Sequence, residues 1–242
     1  MYTFPPIAAA VGAAYTVVTA LAAVLAPVAG PAAAALAVVV LTAAVRLALL
    51  PLSIAQVRGE KVRTRLAPRM RELQRRHRAD PQRLLTEQRR LYAEAGSSPM
   101  AGCLPALAQL PVFMVLYGVF TSPVVGGSGN ELLRHTLGGV PLGSGLGDVL
   151  AGGGAGTAVF AVLLVVVAAT AWASRRWLTL PALEGAAEAG TPAVPGARLM
   201  SFLPYGTVAA AAFLPLAAGL YLATTTAWTV AERLALRQLI TG

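Results

Sequence analysis

The stretch TAAVRLALLPLSIAQ (residues 42–56) decides how this chain folds, because it sets a single charge, Arg46, in an otherwise apolar run. No charged residue precedes Arg46, and the next one is Arg58. About 20 apolar residues, each rising about 1.5 Å along a helix, cross a hydrocarbon core of ~30 Å. The sequence therefore predicts a membrane span over residues 31–57, with Arg46 near its middle.

The composition of the whole chain is that of a membrane protein. Of its 242 residues, 57% are hydrophobic and 12% are charged, whereas about 25% are charged in an average soluble domain. The net charge is nevertheless +9, from 19 basic and 10 acidic residues. The hydrophobic content excludes a disordered basic tail protein. The single cysteine, Cys103, excludes a disulfide scaffold.

Four further apolar segments predict four more spans, the last two divided at Pro215 because proline breaks a helix. The fold class is therefore all-α, a polytopic membrane protein with five spans. After the first span, the predicted order is a helical hairpin (58–99), a second span (100–120), a glycine-rich loop (121–155), a third span (156–174), a loop (175–198), a fourth and a fifth span (199–214 and 215–233) and a tail (234–242).

The basic residues outside the spans predict the orientation, because Lys and Arg accumulate on the cytoplasmic side. The segment 58–94 holds 12 basic and 5 acidic residues, and the glycine-rich loop holds one arginine and two acids. We therefore expect the hairpin, the loop 175–198 and the C-terminus in the cytoplasm, and the glycine-rich loop outside. Five spans then leave the N-terminus outside. The 18 arginines against one lysine indicate a GC-rich bacterial genome, so the expected location is a bacterial plasma membrane.

Residues 1–30 are open to several interpretations. Residues 7–29 are apolar and are bracketed by prolines. A signal peptide normally starts with a positively charged region, which this segment lacks. We favour an apolar helix lying along the outer interface, and a sixth span is the alternative.

The basic segment predicts two antiparallel helices, since apolar residues recur at helical spacing on both sides of Asp80-Pro81. Their outward faces are mostly arginine. This surface either fixes topology only or docks an acidic partner: anionic lipid head groups, RNA or an acidic protein. The residues expected to act in recruitment are Arg58, Lys61, Arg65, Arg69, Arg75 and Arg76.

Placing a charged side chain at the depth of Arg46 costs a free energy of about 2.5 to more than 10 kcal/mol, depending on the method of measurement. We therefore expect Arg46 to meet water, a polar cavity or a transient partner. Polar residues on three spans, clustered on two helix faces at about 100° per residue, offer the wall of a common groove. They are Thr42, Ser53 and Gln56 beside Arg46, then Gln109, then Tyr221, Thr224, Thr225 and Trp228. In the alternative, the hydroxyls bond their own helices and Gln109 joins two helices.

No catalytic motif accompanies these residues. The sequence contains no nucleophile–base pair, phosphate-binding glycine loop or zincin motif. Cys103, His77 and His135 are isolated, so they form no metal-binding pattern. We expect a protein that is not an enzyme and that uses no cofactor and no metal.

Three sequence features together resemble the YidC/Oxa membrane protein insertases. They are the stretch 42–56 with the charged hairpin after it, GCLPALAQLPVFMVLY (102–117), and FLPYGTVAAAAFLPLAAGLYLATTTAW (202–228). The resemblance covers about residues 31–235 and implies five spans around a hydrophilic groove open to the cytoplasm and to lipid. Arg46 matches the family's groove arginine and Gln109 its second-span glutamine. Thr225 and Thr226 match, more loosely, a polar pair in its last span.

The resemblance also implies a function. Such insertases accept polar segments of nascent membrane proteins in the groove and release apolar segments into lipid. The implied partners are these substrates and the bilayer, with the ribosome, targeting factors or the Sec translocon as further candidates, and no small-molecule substrate. Because the sequence shows neither a large outer domain nor a long basic tail, it resembles the family's short form.

Two other classes of function remain open. One is a small polytopic transporter or channel for anionic solutes, although no internal repeat relates the spans. The other is a scaffold that recruits ribosomes or RNA through the hairpin.

Overall fold

The computed structural model describes the backbone of residues 5–96, 104–188 and 197–241, and the side chains of residues 5–96, 110–185 and 199–239. Short 3₁₀ turns and one π-helical turn (Arg175–Thr179) join some of the helices. The α-helices are α1 (Pro5–Ala29), α2 (Ala33–Ala48), α3 (Leu50–Arg76), α4 (Pro81–Glu94), α5 (Leu104–Thr121), α6 (Leu146–Ala151), α7 (Thr157–Ser174), α8 (Leu180–Glu188), α9 (Ala197–Met200), α10 (Gly206–Phe213) and α11 (Leu216–Thr241).

Helices α1 and α2 pack side by side as an antiparallel pair, joined by the 3₁₀ turn Gly30–Ala32. Gly30 has a φ of 51°, a left-handed conformation that favours glycine. Val11 and Val18 of α1 are buried in the same core as α2 and α5. Helix α1, within the segment expected as an interfacial helix, is thus packed against α2 and α5.

The first span and the hairpin are not separated at residue 57, where the sequence pattern placed the boundary. Helix α2 ends at Ala48, and α3 runs from Leu50 to Arg76 without a break. Pro51 lies in the first turn of α3, where the missing N–H is tolerated. A single helix therefore carries the chain from the neighbourhood of Arg46 into the arginine-rich hairpin.

Helices α3 and α4 form an antiparallel hairpin with a narrow apolar seam. Leu66, Leu91 and Tyr92 are buried between the two helices. The Asp80 side chain accepts a hydrogen bond from the Arg83 N–H at 3.0 Å and so caps the start of α4. The seam covers only one face of each helix, which leaves most arginines exposed.

The glycine-rich segment 121–155 is a packed cap rather than a simple loop. Two short antiparallel pairs, Val124–Val125 with Ser128–Gly129 and Thr136–Leu137 with Val140–Pro141, each turn through a Gly-Gly dipeptide at positive φ. Backbone hydrogen bonds from Leu216 N–H and Ala217 N–H to this segment join it to the start of α11.

Helices α7, α10 and α11 pack together with α5 around fully buried aromatic side chains, Phe120 and Phe160. The helices do not coincide with two of the predicted segments. The predicted fourth span (199–214) comprises the end of α9, a 3₁₀ turn and the eight-residue α10. Helix α11 continues through the predicted tail to Thr241.

Two described stretches are long and apolar enough to cross a bilayer, Pro5–Ala48 and Thr157–Gly185. Leu110–Thr121 and Leu203–Phe213 are shorter apolar helices. The chain is thus mostly helical with apolar helices of membrane-spanning length, and the count of five spans stays a prediction.

Replacing Gly143 by alanine is expected to destabilise the cap. A Cβ at this position would lie 2.9 Å from the Leu133 Cβ, an atom close to the backbone that cannot move away alone. Overpacking of this kind costs about 1–3 kcal/mol, and each kcal/mol lowers Tm by about 2–4 °C in a chain of this size. Thermal unfolding in detergent measures the change.

Gly147→Ala is the matched control, since a Cβ there meets nothing within 4 Å. Its Tm should be unchanged or slightly raised, because alanine favours a helix. Equal Tm values for Gly143→Ala and the wild type would contradict the packing described for the cap.

Candidate functional site

A cavity of about 220 Å³ lies beside Arg46, between α2, α5 and α11. We call it the Arg46 cavity. Its polar wall is formed by Thr42 and Arg46 on α2 and by Tyr221 and Thr225 on α11. Its opposite wall is apolar and comes from α5, with Leu110, Val112, Phe113 and Leu116. The cavity therefore offers one charged side and one side suited to hydrocarbon.

A side-chain contact between Arg46 and Thr225 joins α2 to α11 at the polar wall of the cavity. Arg46 Nε and Nη2 both donate to the Thr225 hydroxyl oxygen, at 2.8 and 2.6 Å. Thr225 is buried and Arg46 is half-buried. Among the described residues, no Asp or Glu forms an ion pair with Arg46. Its positive charge is thus hydrogen-bonded but not neutralised.

The side chains of the other two polar residues of this wall make contacts inside the protein: Thr42 forms a hydrogen bond and Tyr221 packs against aromatic rings. The Thr42 hydroxyl donates to the Val38 carbonyl at 2.7 Å, the intrahelical bond that the sequence left open as an alternative. The Tyr221 ring is buried between Phe113 and Phe120, with ring centroids 6.0 and 5.8 Å apart. Thr42 and Tyr221 shape the cavity, whereas Arg46 supplies its charge.

The predicted groove residues of α3, together with Thr224 and Trp228 of α11, lie outside the lining of the Arg46 cavity. Ser53 is buried on α3. Gln56 Nε2 donates to the Glu60 carboxylate at 3.4 Å. Trp228 Nε1 donates to the Glu232 carboxylate at 2.6 Å. These residues extend the polar faces of α3 and α11 away from Arg46.

The predicted pair Thr225 and Thr226 is divided between two interfaces. The Thr226 hydroxyl lies 3.3 Å from that of Thr170 on α7 and also bonds the Leu222 carbonyl. A helix turns about 100° per residue, and Thr226 accordingly faces α7 while Thr225 faces α2. Gln109 belongs to α5, but its side chain lies outside the described residues.

Sequence reasoning missed an ion pair that joins α3 to α11. Arg233 Nη1 donates to both oxygens of the Glu60 carboxylate, at 3.1 and 3.0 Å. One signal was available, because Glu60 follows Gln56 by one turn on the same helix face. Nothing in the spacing indicated that Arg233 would be its partner.

The predicted recruitment residues of the hairpin are exposed except Lys61, which is half-buried. Arg76 pairs with Glu72 at 2.8 Å. One flank of the hairpin, where α3 and α4 meet, carries three arginines and three glutamates: Arg69, Glu72, Arg76, Glu87, Arg90 and Glu94. The hairpin surface is therefore of mixed charge on this flank rather than uniformly basic.

No metal site accompanies these groups in the part of the chain that the structure describes. There, no three His, Cys, Asp or Glu side chains are close enough to hold a metal ion. The chemistry of the site thus rests on a fixed cation beside an apolar wall.

The sequence is similar to known proteins over most of its length. The family model described as the 60Kd inner membrane protein matches residues 24–241, a range that includes Arg46, the hairpin and α11. The chain belongs to the YidC/Oxa family. Its similarity extends over nine-tenths of the sequence, from within α1 to the last residue of α11.

Individual members of the YidC/Oxa family align with parts of the chain. The inner membrane ALBINO3-like protein 2, chloroplastic, of Chlamydomonas reinhardtii is 35% identical over 158 residues, which cover 57% of this chain and 35% of that protein. Membrane protein insertase YidC of Clostridium perfringens is 42% identical over 81 residues, 34% of each chain. That of Streptomyces avermitilis is 36% identical over 100 residues, 40% of this chain and 23% of the relative. The aligned part thus spans about a third or less of these relatives.

Replacing Thr225 by valine is expected to destabilise this member of the YidC/Oxa family. Valine keeps the shape of the side chain but removes the oxygen that accepts two bonds from Arg46. A buried donor left without a partner costs about 1–3 kcal/mol, and more when it is charged. We expect a Tm lower by about 4–10 °C in a nanodisc, from about 2–4 °C per kcal/mol.

The matched control is Thr42→Val in the same cavity. Its hydroxyl donates only to its own helix, so its loss leaves no charged group without a partner. We expect a Tm change of about 2 °C or less for this variant. Equal losses for both variants would contradict a special role for the Thr225 oxygen.

Proposed function

We propose that this chain is a membrane protein insertase and chaperone, which receives polar segments of nascent membrane proteins beside Arg46 and releases their apolar segments into the bilayer. Membership of the YidC/Oxa family and two relatives named membrane protein insertase YidC support the proposal. The observation that carries it is the Arg46 cation, held by one hydroxyl at the edge of a cavity with an apolar opposite wall.

The physical argument starts from the cost of taking a carboxylate out of water, which is several kcal/mol for an unpaired charge. A cavity that reaches partway into the bilayer shortens the apolar path. The Arg46 guanidinium has five N–H donors, of which Thr225 engages those of two nitrogens. The remaining donors allow a carboxylate to bind, and the low local dielectric makes this attraction stronger than in water.

The apolar wall supports release into lipid. Phe113 belongs to the Arg46 cavity and also lines a second, apolar cleft between α5, α10 and α11. This cleft is formed with Tyr117, Phe213 and Leu222 and is open to the surface. We propose that an apolar segment that enters beside Arg46 passes these side chains on its way to lipid, and that partitioning of its apolar surface drives the movement. The membrane potential adds a force on any charge that moves.

We propose that the hairpin is cytoplasmic and recruits substrates or an acidic partner through its exposed arginines, such as Arg58, Arg65 and Arg75. The ribosome, targeting factors and the Sec translocon are the partners to test. The positive charge of the segment 58–94 supports this orientation in a bacterial plasma membrane.

For the membrane topology, we propose the five predicted spans and α1 as a sixth. A helix of 25 residues is about 37 Å long, which exceeds the ~30 Å hydrocarbon core. Its antiparallel packing along α2 supports the spanning alternative over an interfacial helix. The N-terminus then lies in the cytoplasm, together with the hairpin.

Cysteine accessibility distinguishes these two topologies. In a Cys103→Ser background, Thr3→Cys should react with a membrane-impermeant thiol reagent only from the cytoplasmic side. Pro31→Cys, in the turn after α1, should react only from outside. Labelling of both positions from outside would contradict the sixth span and restore the interfacial helix.

The insertase activity is tested by Arg46→Glu. A negative charge in the cavity should repel an incoming carboxylate and lower the insertion of a substrate with an acidic translocated tail by about tenfold or more, equivalent to about 1.4 kcal/mol. Arg46→Lys keeps the charge and should retain part of the activity. Insertion is measured in cells depleted of their own insertase, by protease protection of the tail.

The matched control is the same substrate with its acidic residues replaced by asparagine and glutamine. Its insertion should depend much less on the charge at residue 46. Unchanged insertion of the acidic substrate by Arg46→Glu would contradict the proposal. Anion flux in liposomes without insertion would support the channel alternative instead.

A further inference from the structure

Glu60 and Arg233 join α11, a helix of the Arg46 cavity, to α3, the helix that follows α2 in the chain. These residues lie on α3 and α11 and are 173 positions apart in the sequence. Other ion pairs among the described residues, such as Arg76–Glu72, Arg90–Glu94 and Arg134–Glu131, join positions three or four apart. Glu60–Arg233 is therefore a tertiary contact of a different kind.

This ion pair lies at the end of the polar faces that lead to Arg46. Arg233 follows Thr225 by eight residues, or about 12 Å along α11. On the other side, Glu60 shares a helix face with Ser53 and accepts a hydrogen bond from Gln56. Ser53, between the two contacts, is only 7% exposed. Ser53 is thus shielded from solvent in the structure in which the pair is formed.

The pair is accessible to a competing carboxylate. The side chains of Arg233 and Glu60 are 26% and 40% exposed, so water reaches both. Glu60 presents to Arg233 the same chemical group that an acidic residue of a substrate would present. Exchange of one carboxylate for the other keeps the number of ion-pair contacts, and an exposed pair is worth little in the first place.

Movement of a substrate carboxylate from Arg233 to Arg46 is also favourable. Arg46 is held by a hydroxyl and by no carboxylate among the described residues. A substrate carboxylate that moves from Arg233 to Arg46 therefore gains an ion pair at a site of lower dielectric. Glu60 is left beside Arg233 to restore the first contact.

We infer that Arg233 is a receiving site for the carboxylates of polar substrate segments, and that Glu60 occupies this site until a substrate carboxylate replaces it. The exchange separates α3 from α11 and opens the route to Arg46. Acidic segments can make the exchange, whereas neutral and basic segments cannot, so Arg233 helps to determine which segments enter. This inference rests on the proposed insertase function and adds a second cationic position to it.

Thiol labelling tests whether the pair closes the route. Ser53→Cys, in a Cys103→Ser background, is the probe, and its rate of reaction with a membrane-impermeant reagent is measured in vesicles. Glu60→Gln and Arg233→Gln should each raise this rate about twofold to fivefold, as expected when a partly exposed ion pair is lost. Glu72→Gln removes an ion pair of the same helix that does not contact α11, so its rate should equal that of the wild type.

The charge-swapped variant Glu60→Arg with Arg233→Glu keeps an ion pair and should restore slow labelling. Far-UV circular dichroism of each purified variant checks that it folds. Fast labelling of the single variants with slow labelling of the swap supports closure by the pair. Wild-type rates in both single variants would overturn it.

Insertion assays test the receiving site itself. Arg233→Gln should lower insertion of the acidic-tail substrate at least threefold and should not lower insertion of its asparagine and glutamine version. Equal effects on both substrates, or no effect on either, would overturn the inference.

Arg46→Gln separates this inference from the proposed function. If Arg46→Gln leaves insertion of the acidic substrate unchanged, the insertase proposal fails, whatever the labelling of Ser53→Cys reports. If Arg46→Gln abolishes insertion while Arg233→Gln behaves as the wild type in both assays, only the receiving site is overturned.

Discussion

The contact between Arg46 and Thr225 is the constraint on which the rest of the site depends. A guanidinium in an apolar helix needs a hydrogen-bond acceptor, because an unpaired buried charge costs several kcal/mol. Here the acceptor is a hydroxyl on α11, which draws the last long helix against α2 and leaves space between them and α5. A carboxylate in place of Thr225 would have neutralised the charge. The hydroxyl orients the cation and keeps it available.

Packing elsewhere in the chain holds this contact in position. The cap over residues 121–155 is bonded to the first turn of α11 through Leu216 and Ala217, so the start of that helix is fixed. Gly219 lies where a Cβ would be 2.6 Å from a Leu163 methyl carbon, so α7 and α11 approach closely at this glycine. Helix α1 supports α2 from the other side. The two helices that carry Arg46 and Thr225 are therefore both held by neighbours.

Local patterns in the sequence account for much of this arrangement. Apolar length predicted the helical regions, proline marked the break before α11, and apolar spacing predicted the hairpin seam around Leu66 and Leu91. Spacing could not predict that α3 continues through residue 57 or that α11 continues to Thr241, because a helix need not end where its surroundings change from lipid to water. The separate partners of Thr225 and Thr226 depend on which helix packs on each side, which is a tertiary property.

Three arginines of this chain differ in their exposure to solvent and in the partners that bind their charge. Arg76 pairs with Glu72 on the exposed surface of the hairpin, where solvent and salt weaken any attraction. Arg233 is partly buried and pairs with Glu60 across two helices. Arg46 is bound by a hydroxyl and lines the Arg46 cavity. If the chain is the insertase that we propose, an acidic segment is attracted more strongly to Arg46 than to the hairpin, because no carboxylate among the described residues neutralises Arg46 and an attraction between charges strengthens away from bulk water. Such a difference in attraction would give direction to the movement of the segment.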